Sequence, residues 1–219
     1  MRAKKTIFYL AAVLLGGCVP VMSLNPLYEQ ENVIFEQKLL GVWMDDVNDP
    51  EVIWDFNRPD PNKNEYRLVY TDQENKKGIF KVQLVKLKEQ LFLDVFPDSF
   101  PSGRGQNEDM MLVYNGFFYT PTHTFVKVNS IEPYLNIQIT NSEELEKLLE
   151  EDPNAIESVD VEPGWLVLTS STKEIQAFVL KYADDKRLFG DEVKLIRTEI
   201  DYKAKIQEAT EAEENKSKK

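Results

Sequence analysis

Through the middle of the chain, apolar and polar residues alternate with a period of two, the mark of strands that bury one face. Val52, Trp54 and Phe56 share such a face, and Tyr66, Leu68 and Tyr70 repeat the pattern after the polar connection at 57–64. Phe80, Val82 and Leu84 continue it. The adjacent pair Leu84 and Val85 then shifts the phase before Leu87, which predicts either a β-bulge or a strand buried on both faces. Lys88, Glu89 and Gln90 predict a hairpin turn into a strand over 91–96, ended by Pro97, Pro101 and a polar, glycine-containing loop. Further strands are predicted over 40–43, 110–119, 125–128, 135–139, 165–168 and 193–196.

Two stretches change to helical spacing. Thr140 and Glu143 fit a capping box ahead of an apolar stripe of Leu145, Leu148 and Leu149, which predicts a helix over 142–150. Ser171 and Glu174 repeat that signal, and Ile175, Phe178, Val179 and Tyr182 then fall on one side of a second helix ending near Asp184 and Asp185. Residues 153–163 read as a break. The expected fold is mainly β with two short helices, its antiparallel strands closed as a barrel or stacked as a sandwich.

The ends lack a period. Residues 18–37 hold scattered apolar residues with Pro20, Asn25, Pro26 and Asn32, and predict a tether; 201–219 carry alternating charges around a lone Ile206 and predict a disordered tail. One β-rich domain over 38–200 lies between. Ahead of the tether, Arg2, Lys4 and Lys5 precede the apolar run 7–15 and then Leu15-Gly16-Gly17-Cys18, in the order of an export signal occupying 1–17. The nine apolar residues are too few for a membrane-spanning helix, which needs about twenty.

Charge narrows the partners. Removing residues 1–17 takes three cations from 26 Lys and Arg against 38 Asp and Glu, so the formal charge goes from −12 to −15. Such a body is not built to neutralise a nucleic-acid backbone or to adhere broadly to anionic headgroups. The single cysteine leaves no disulfide, so apolar burial must hold the fold.

Candidate chemistry is sparse. His123, the only histidine, reads as a turn residue satisfied by backbone, with a general base as the sharper alternative. Asp45, Asp46, Asn48 and Asp49 lack the glycine and glutamate of a calcium loop, and Asp94 and Asp98 offer a carboxylate pair with nothing to mark a substrate between them. Gly103-Arg104-Gly105 fails the phosphate-loop pattern. The residues therefore predict no catalytic site, no cofactor and no metal.

Two resemblances add to this. The order Leu15-Gly16-Gly17-Cys18 after a charged start and an apolar run resembles the lipobox of bacterial lipoprotein precursors. It implies that Leu15, Gly16 and Gly17 form the processing site, and that Cys18 becomes the acylated first residue. Val19 in place of aspartate implies outer-membrane sorting, with the body facing the periplasm. Gly41 and Trp43 match the Gly-x-Trp element of lipocalin-like barrels, in which the tryptophan packs across the barrel base. That likeness implies an apolar cavity lined by some of Trp43, Trp54, Tyr66, Tyr70, Phe80 and Phe92; read from the residues alone, the same aromatics are what a filled β core requires. The functional expectation is an envelope lipoprotein acting as a binding, scaffolding or assembly module for another envelope protein. The alternative is a carrier of a small apolar ligand, and an envelope hydrolase comes third.

Overall fold

Eight antiparallel strands close on themselves. The computed structural model describes residues 19–98, 120–162 and 165–198. The strand expected over 110–119, the tail, and Leu15, Gly16, Gly17 and Cys18 lie outside the described residues. Two short strands come first, β1 (Met22–Ser23) and β2 (Val33–Ile34). The barrel strands follow as β3 (Gly41–Met44), β4 (Ile53–Asn57), β5 (Tyr66–Thr71), β6 (Lys77–Leu87), β7 (Gln90–Pro97), β8 (His123–Ser130) and β9 (Tyr134–Ile139), then, after an excursion, β12 (Val193–Thr198). Each pairs with its predecessor, and β12 bonds to both β9 and β3, so the ring has no open seam. Closure decides for the barrel over the sandwich, because every strand finds its second edge partner without stacking a second sheet.

The excursion between β9 and β12 holds α1 (Ser142–Glu151), β10 (Ser158–Glu162), β11 (Trp165–Leu168) and α2 (Thr172–Lys181). Strand β10 falls inside the segment expected to be a break. Its pairing with β11 carries it, with a shift at Asp160 and Glu162 that period-two reading does not anticipate. Helix α2 starts as predicted, with both halves of the Ser171 and Glu174 capping box formed. Helix α1 differs: Asn141 caps it by accepting from the Glu144 N–H, while the Thr140 hydroxyl accepts from the Val21 N–H.

Alternation sorts the apolar residues into two cores. Inside the barrel lie Trp43, Trp54, Phe56, Tyr66, Leu68, Val82, Leu84, Leu93, Val126 and Ile137, among others. Outside it, Val85, Leu87, Phe92 and Phe125 meet Leu145 and Leu148 of α1, Ile175, Phe178 and Val179 of α2, and Leu166 and Leu168 of β11. The phase change at Leu84 and Val85 is therefore a strand buried on both faces: β6 pairs with β7 in unbroken register through both residues, has β2 on its other edge there, and has no bulge. Phe92, expected with the inward aromatics, is corrected for the same reason. It faces outward against Phe189, with ring centroids 5.8 Å apart, because Leu91 and Leu93 take the inner row.

Residues 19–40 form a strap across the outer wall where a tether was expected. The Val19 carbonyl accepts from the Ser142 N–H, β1 pairs with both β8 and β11, and β2 pairs with β6. Asn25 Nδ2 donates to the Ser170 carbonyl at 2.9 Å, and Gln176 Nε2 donates to the Leu27 carbonyl at 2.8 Å. Val21 and Leu27 are fully buried in the outer core.

The end of the barrel under this strap is plugged. A 3-10 turn at Gln37–Leu39 presents its Leu39 carbonyl to the Trp43 indole N–H at 2.9 Å. The Arg197 guanidinium lies 4.2 Å from the Trp43 ring and donates to the Leu40 carbonyl at 2.6 Å and to the Lys38 carbonyl. Gly41 is needed here: its φ is +119°, and a Cβ would stand 2.9 Å from Arg197 Nη1. Phe35 stacks on Tyr66 at 5.1 Å, and the Tyr66 hydroxyl both donates to the Glu36 carbonyl and accepts from the Glu36 N–H.

Burial pushes the Tyr66 phenol up to about 12, with the Glu36 backbone bond pulling the other way. A folded value above the unfolded one, near 10, means that the contribution of Tyr66 is complete below pH 10 and is lost as pH rises toward 12. Tyr66→Phe is expected to cost about 1 kcal/mol at neutral pH. Urea titrations at pH 8 and pH 11 should show a smaller alkaline loss in the variant; equal losses in both proteins count against burial as the cause.

Candidate functional site

The end opposite the plug is the candidate site. There the inward rows run out at Tyr70 of β5, Phe80 and Gly78 of β6, Val95 and Pro97 of β7, Thr124 of β8, Ile139 of β9 and Val193 of β12, and residues 99–119, which join β7 to β8 at this end, lie outside the described residues. Tyr70, Phe80, Ile139 and Val193 pack on the inner core yet are only half-buried, while the rings deeper in the barrel are sealed. Trp54 forms the floor edge, meeting Tyr70 at 5.9 Å in a T-shaped contact. Burial raises the Tyr70 hydroxyl above its ordinary pKa, reinforced by the charges of Asp72 and Asp45. Thr124 points inward because it pairs with Val95, and its hydroxyl is shielded from water with no partner among the described residues. An apolar rim with a few polar groups is the usual composition of a small-molecule site.

Of the six aromatics singled out in the sequence, Trp43, Trp54 and Tyr66 are buried in the inner core. Tyr70 and Phe80 stand at the end away from the plug, and Phe92 is outside the barrel. Sequence reasoning did not find Thr124, Ile139 or Val193 as rim residues: the alternation of Ile139 and the strand opened by Val193 were visible, but Thr124 read as part of the interruption before the strand at 125–128, and which end would be plugged was not legible.

His123 is not a turn residue. It opens β8 and holds the Asp94 carboxylate by Nδ1 at 2.6 Å, while the second Asp94 oxygen accepts from the Leu27 N–H at 2.7 Å. Asp94 is 1% exposed, and the Phe96 ring lies 4.5 Å from the imidazole. His123 thus has the acidic partner that the sequence did not reveal, and the pair sits on the outer wall beneath the strap. Ser23 is its cross-strand neighbour, but the Ser23 hydroxyl donates to the Asn25 carbonyl at 2.7 Å and is buried. The constellation binds strap to wall.

The other carboxylates are spent locally. Asp98 faces Arg67 and Lys81, which separates it from Asp94 as a working pair. Asp45 accepts from the Glu51 and Val52 amides and Asp46 from the Asn48 amide, so the loop ties its own backbone. Among the described residues no group of three metal-binding side chains converges. Gly103, Arg104 and Gly105 lie outside the described residues. An open cleft of about 790 Å³ runs between α2 and the β10–β11 hairpin, lined by Ile156, Ser158, Ser170, Glu174, Phe178 and Lys181. Three of its polar groups are engaged: Glu174 caps α2, Ser170 accepts from the Glu157 N–H, and Lys181 donates to Asp152.

Fold and rim together define a closed antiparallel β-barrel, a fold capable of holding a ligand, plugged at one end and, among the described residues, rimmed by apolar side chains at the other. The chain finds no match among protein-family models, curated proteins or solved structures. No helix among the described residues is long and apolar enough to cross a membrane.

Proposed function

We propose that this protein is a lipocalin-like carrier that takes a small apolar molecule at the end of its barrel opposite the Trp43 plug, held at the bacterial outer membrane by acyl chains on Cys18. Thr124 carries the binding part of this reading. Among the described residues its buried hydroxyl has no partner, which costs roughly 1–3 kcal/mol; the side chain as a whole is only part-buried, so a ligand with one polar group that drew the hydroxyl out by a turn about χ1 would satisfy it while covering Tyr70, Phe80, Ile139 and Val193. The filled lower barrel supports a ligand seated shallowly on an aromatic floor. The anchor rests on the order of charges, apolar run and Leu15-Gly16-Gly17-Cys18, and two or more acyl chains suffice for stable attachment. The body carries no catalysis in this reading, since the Asp94 and His123 pair serves the strap.

The test is a fluorescence titration of the full chain with N-phenyl-1-naphthylamine, a neutral apolar probe with one N–H. Saturation at one probe per chain is expected. Thr124→Val should weaken binding by about three- to tenfold, the worth of one hydrogen bond, while leaving stability unchanged or higher. Probe binding unaffected by Thr124→Val removes the rim as the site.

A further inference from the structure

Among the described residues, five large apolar side chains stand exposed: Leu24 at 47%, Tyr134 at 37%, Val159 at 54%, Val161 at 57% and Trp165 at 39%. Tyr134 is covered by the Lys194 ammonium, 3.4 Å from its ring centroid. The other four gather on the three-stranded extension formed by β1, β11 and β10. Met22 pairs with Val167, Val167 pairs with Val159, and the Trp165 indole N–H reaches Met22 Sδ at 3.4 Å, so these residues share one face. Leu24 joins them by alternation after Ser23, and its N–H donates to the Leu168 carbonyl. The opposite face, with Leu166 and Leu168, is covered by the helices. Because Met22 also pairs with Thr124, the bare face continues the inner wall of the barrel outward from the end opposite the plug.

We propose that this face lies on the lipid surface of the membrane, as a shallow docking site beside the acyl anchor. The proposal rests on the anchor reading of Cys18. Its geometric ground is the lack of slack. Val19 is fixed to α1 through its carbonyl and Val21 to Thr140 through its amide, and three residues later the chain is in the bare face. Consecutive Cα atoms are about 3.8 Å apart, so an acylated Cys18 is held next to Val19 and the body cannot stand away from the bilayer. The surface nearest the anchor must then meet headgroups, and it presents a tryptophan, a leucine, a methionine and valines. Tryptophan favours that depth, where its ring is half in hydrocarbon and its N–H stays near water.

Charge does not draw the face down. The processed chain is strongly acidic, and Asp160 and Glu162 flank the valines of β10. Docking is therefore apolar and should persist when salt is raised. It also deepens the carrier reading, since the rim end of the barrel then faces the lipid, and an apolar molecule leaving the bilayer reaches Thr124 along a dry face. The ligand class implied is a membrane-resident molecule with one small polar group.

The test uses the full chain, purified from the envelope of a bacterial host, weighed intact, and reconstituted into phosphatidylethanolamine and phosphatidylglycerol vesicles containing dibrominated lipid. Two of the three tryptophans, Trp43 and Trp54, are enclosed in the barrel. The bromines are expected to remove the Trp165 emission, in low and high salt alike. That loss should vanish in Trp165→Phe and shrink in Val159→Asp, with the near-ultraviolet dichroism of both variants intact. Acylated protein that floats with the vesicles while Trp165 stays bright overturns the docking, including the case in which light scattering shows a second copy on the face, and leaves the anchor standing. Protein without acyl mass that stays in the aqueous fraction overturns the anchor and this proposal with it.

Discussion

Trp43→Ala lowers the stability of the barrel by about 3–5 kcal/mol, the range for deleting a fully buried large aromatic. The loss has three parts. A void opens among Leu39, Trp54 and Leu195; the Leu39 carbonyl loses its indole donor; and Arg197 loses the ring beneath its guanidinium. The Arg197 bonds to Leu40 and Lys38 then hold a plug with nothing under it. A urea titration followed by far-ultraviolet dichroism checks this, with Trp165→Ala as the contrast. Trp165 lies on the bare face, so its removal should stay within about 0.5 kcal/mol. A Trp43→Ala midpoint matching that of Trp165→Ala contradicts the plugged base.

Asp94→Ala is the second large effect. It leaves the Leu27 amide and the His123 ring without their acceptor, and each unpaired buried group costs roughly 1–3 kcal/mol. The strap should loosen where Leu27 was held, so limited proteolysis is expected to cut within 19–40 at a protease level that leaves the parent intact. His123→Ala should give a milder version of the same result, since it removes one of the two contacts. If Asp94→Ala is as stable and as resistant as the parent, the carboxylate is not what fastens the strap.

The barrel strands were legible because each buries one face against the inner core and so keeps its alternation: 52–56, 66–70 and 135–139 are read correctly from spacing alone. Helix α2 was legible because its capping box is local. The misses share a cause, which is a partner distant in sequence. Val85 and Phe92 break the alternation because α2 and the strap cover the outer wall, and the chain that covers them lies on both sides of the barrel in sequence. The strap has no period of its own, since Val21, Leu27, Val33 and Ile34 each dock at a different place. Strand β10 shows a charged edge and two exposed valines, so only its ladder with β11 marks it. At the site, Asp94 and His123 are 29 residues apart and become neighbours only through the β7–β8 register. Arg197 meets Trp43 across the seam that closes the barrel, a contact without a local signature.

The central claim is that the end of the barrel opposite the Trp43 plug, and no other surface, receives the apolar ligand. Val193→Trp places a large ring into that end while leaving the bare face, the outer cleft and the base untouched. Its titration with N-phenyl-1-naphthylamine beside the parent is the decisive comparison. One saturable site in the parent that disappears in the folded variant is the predicted result; an undiminished site in Val193→Trp contradicts the account.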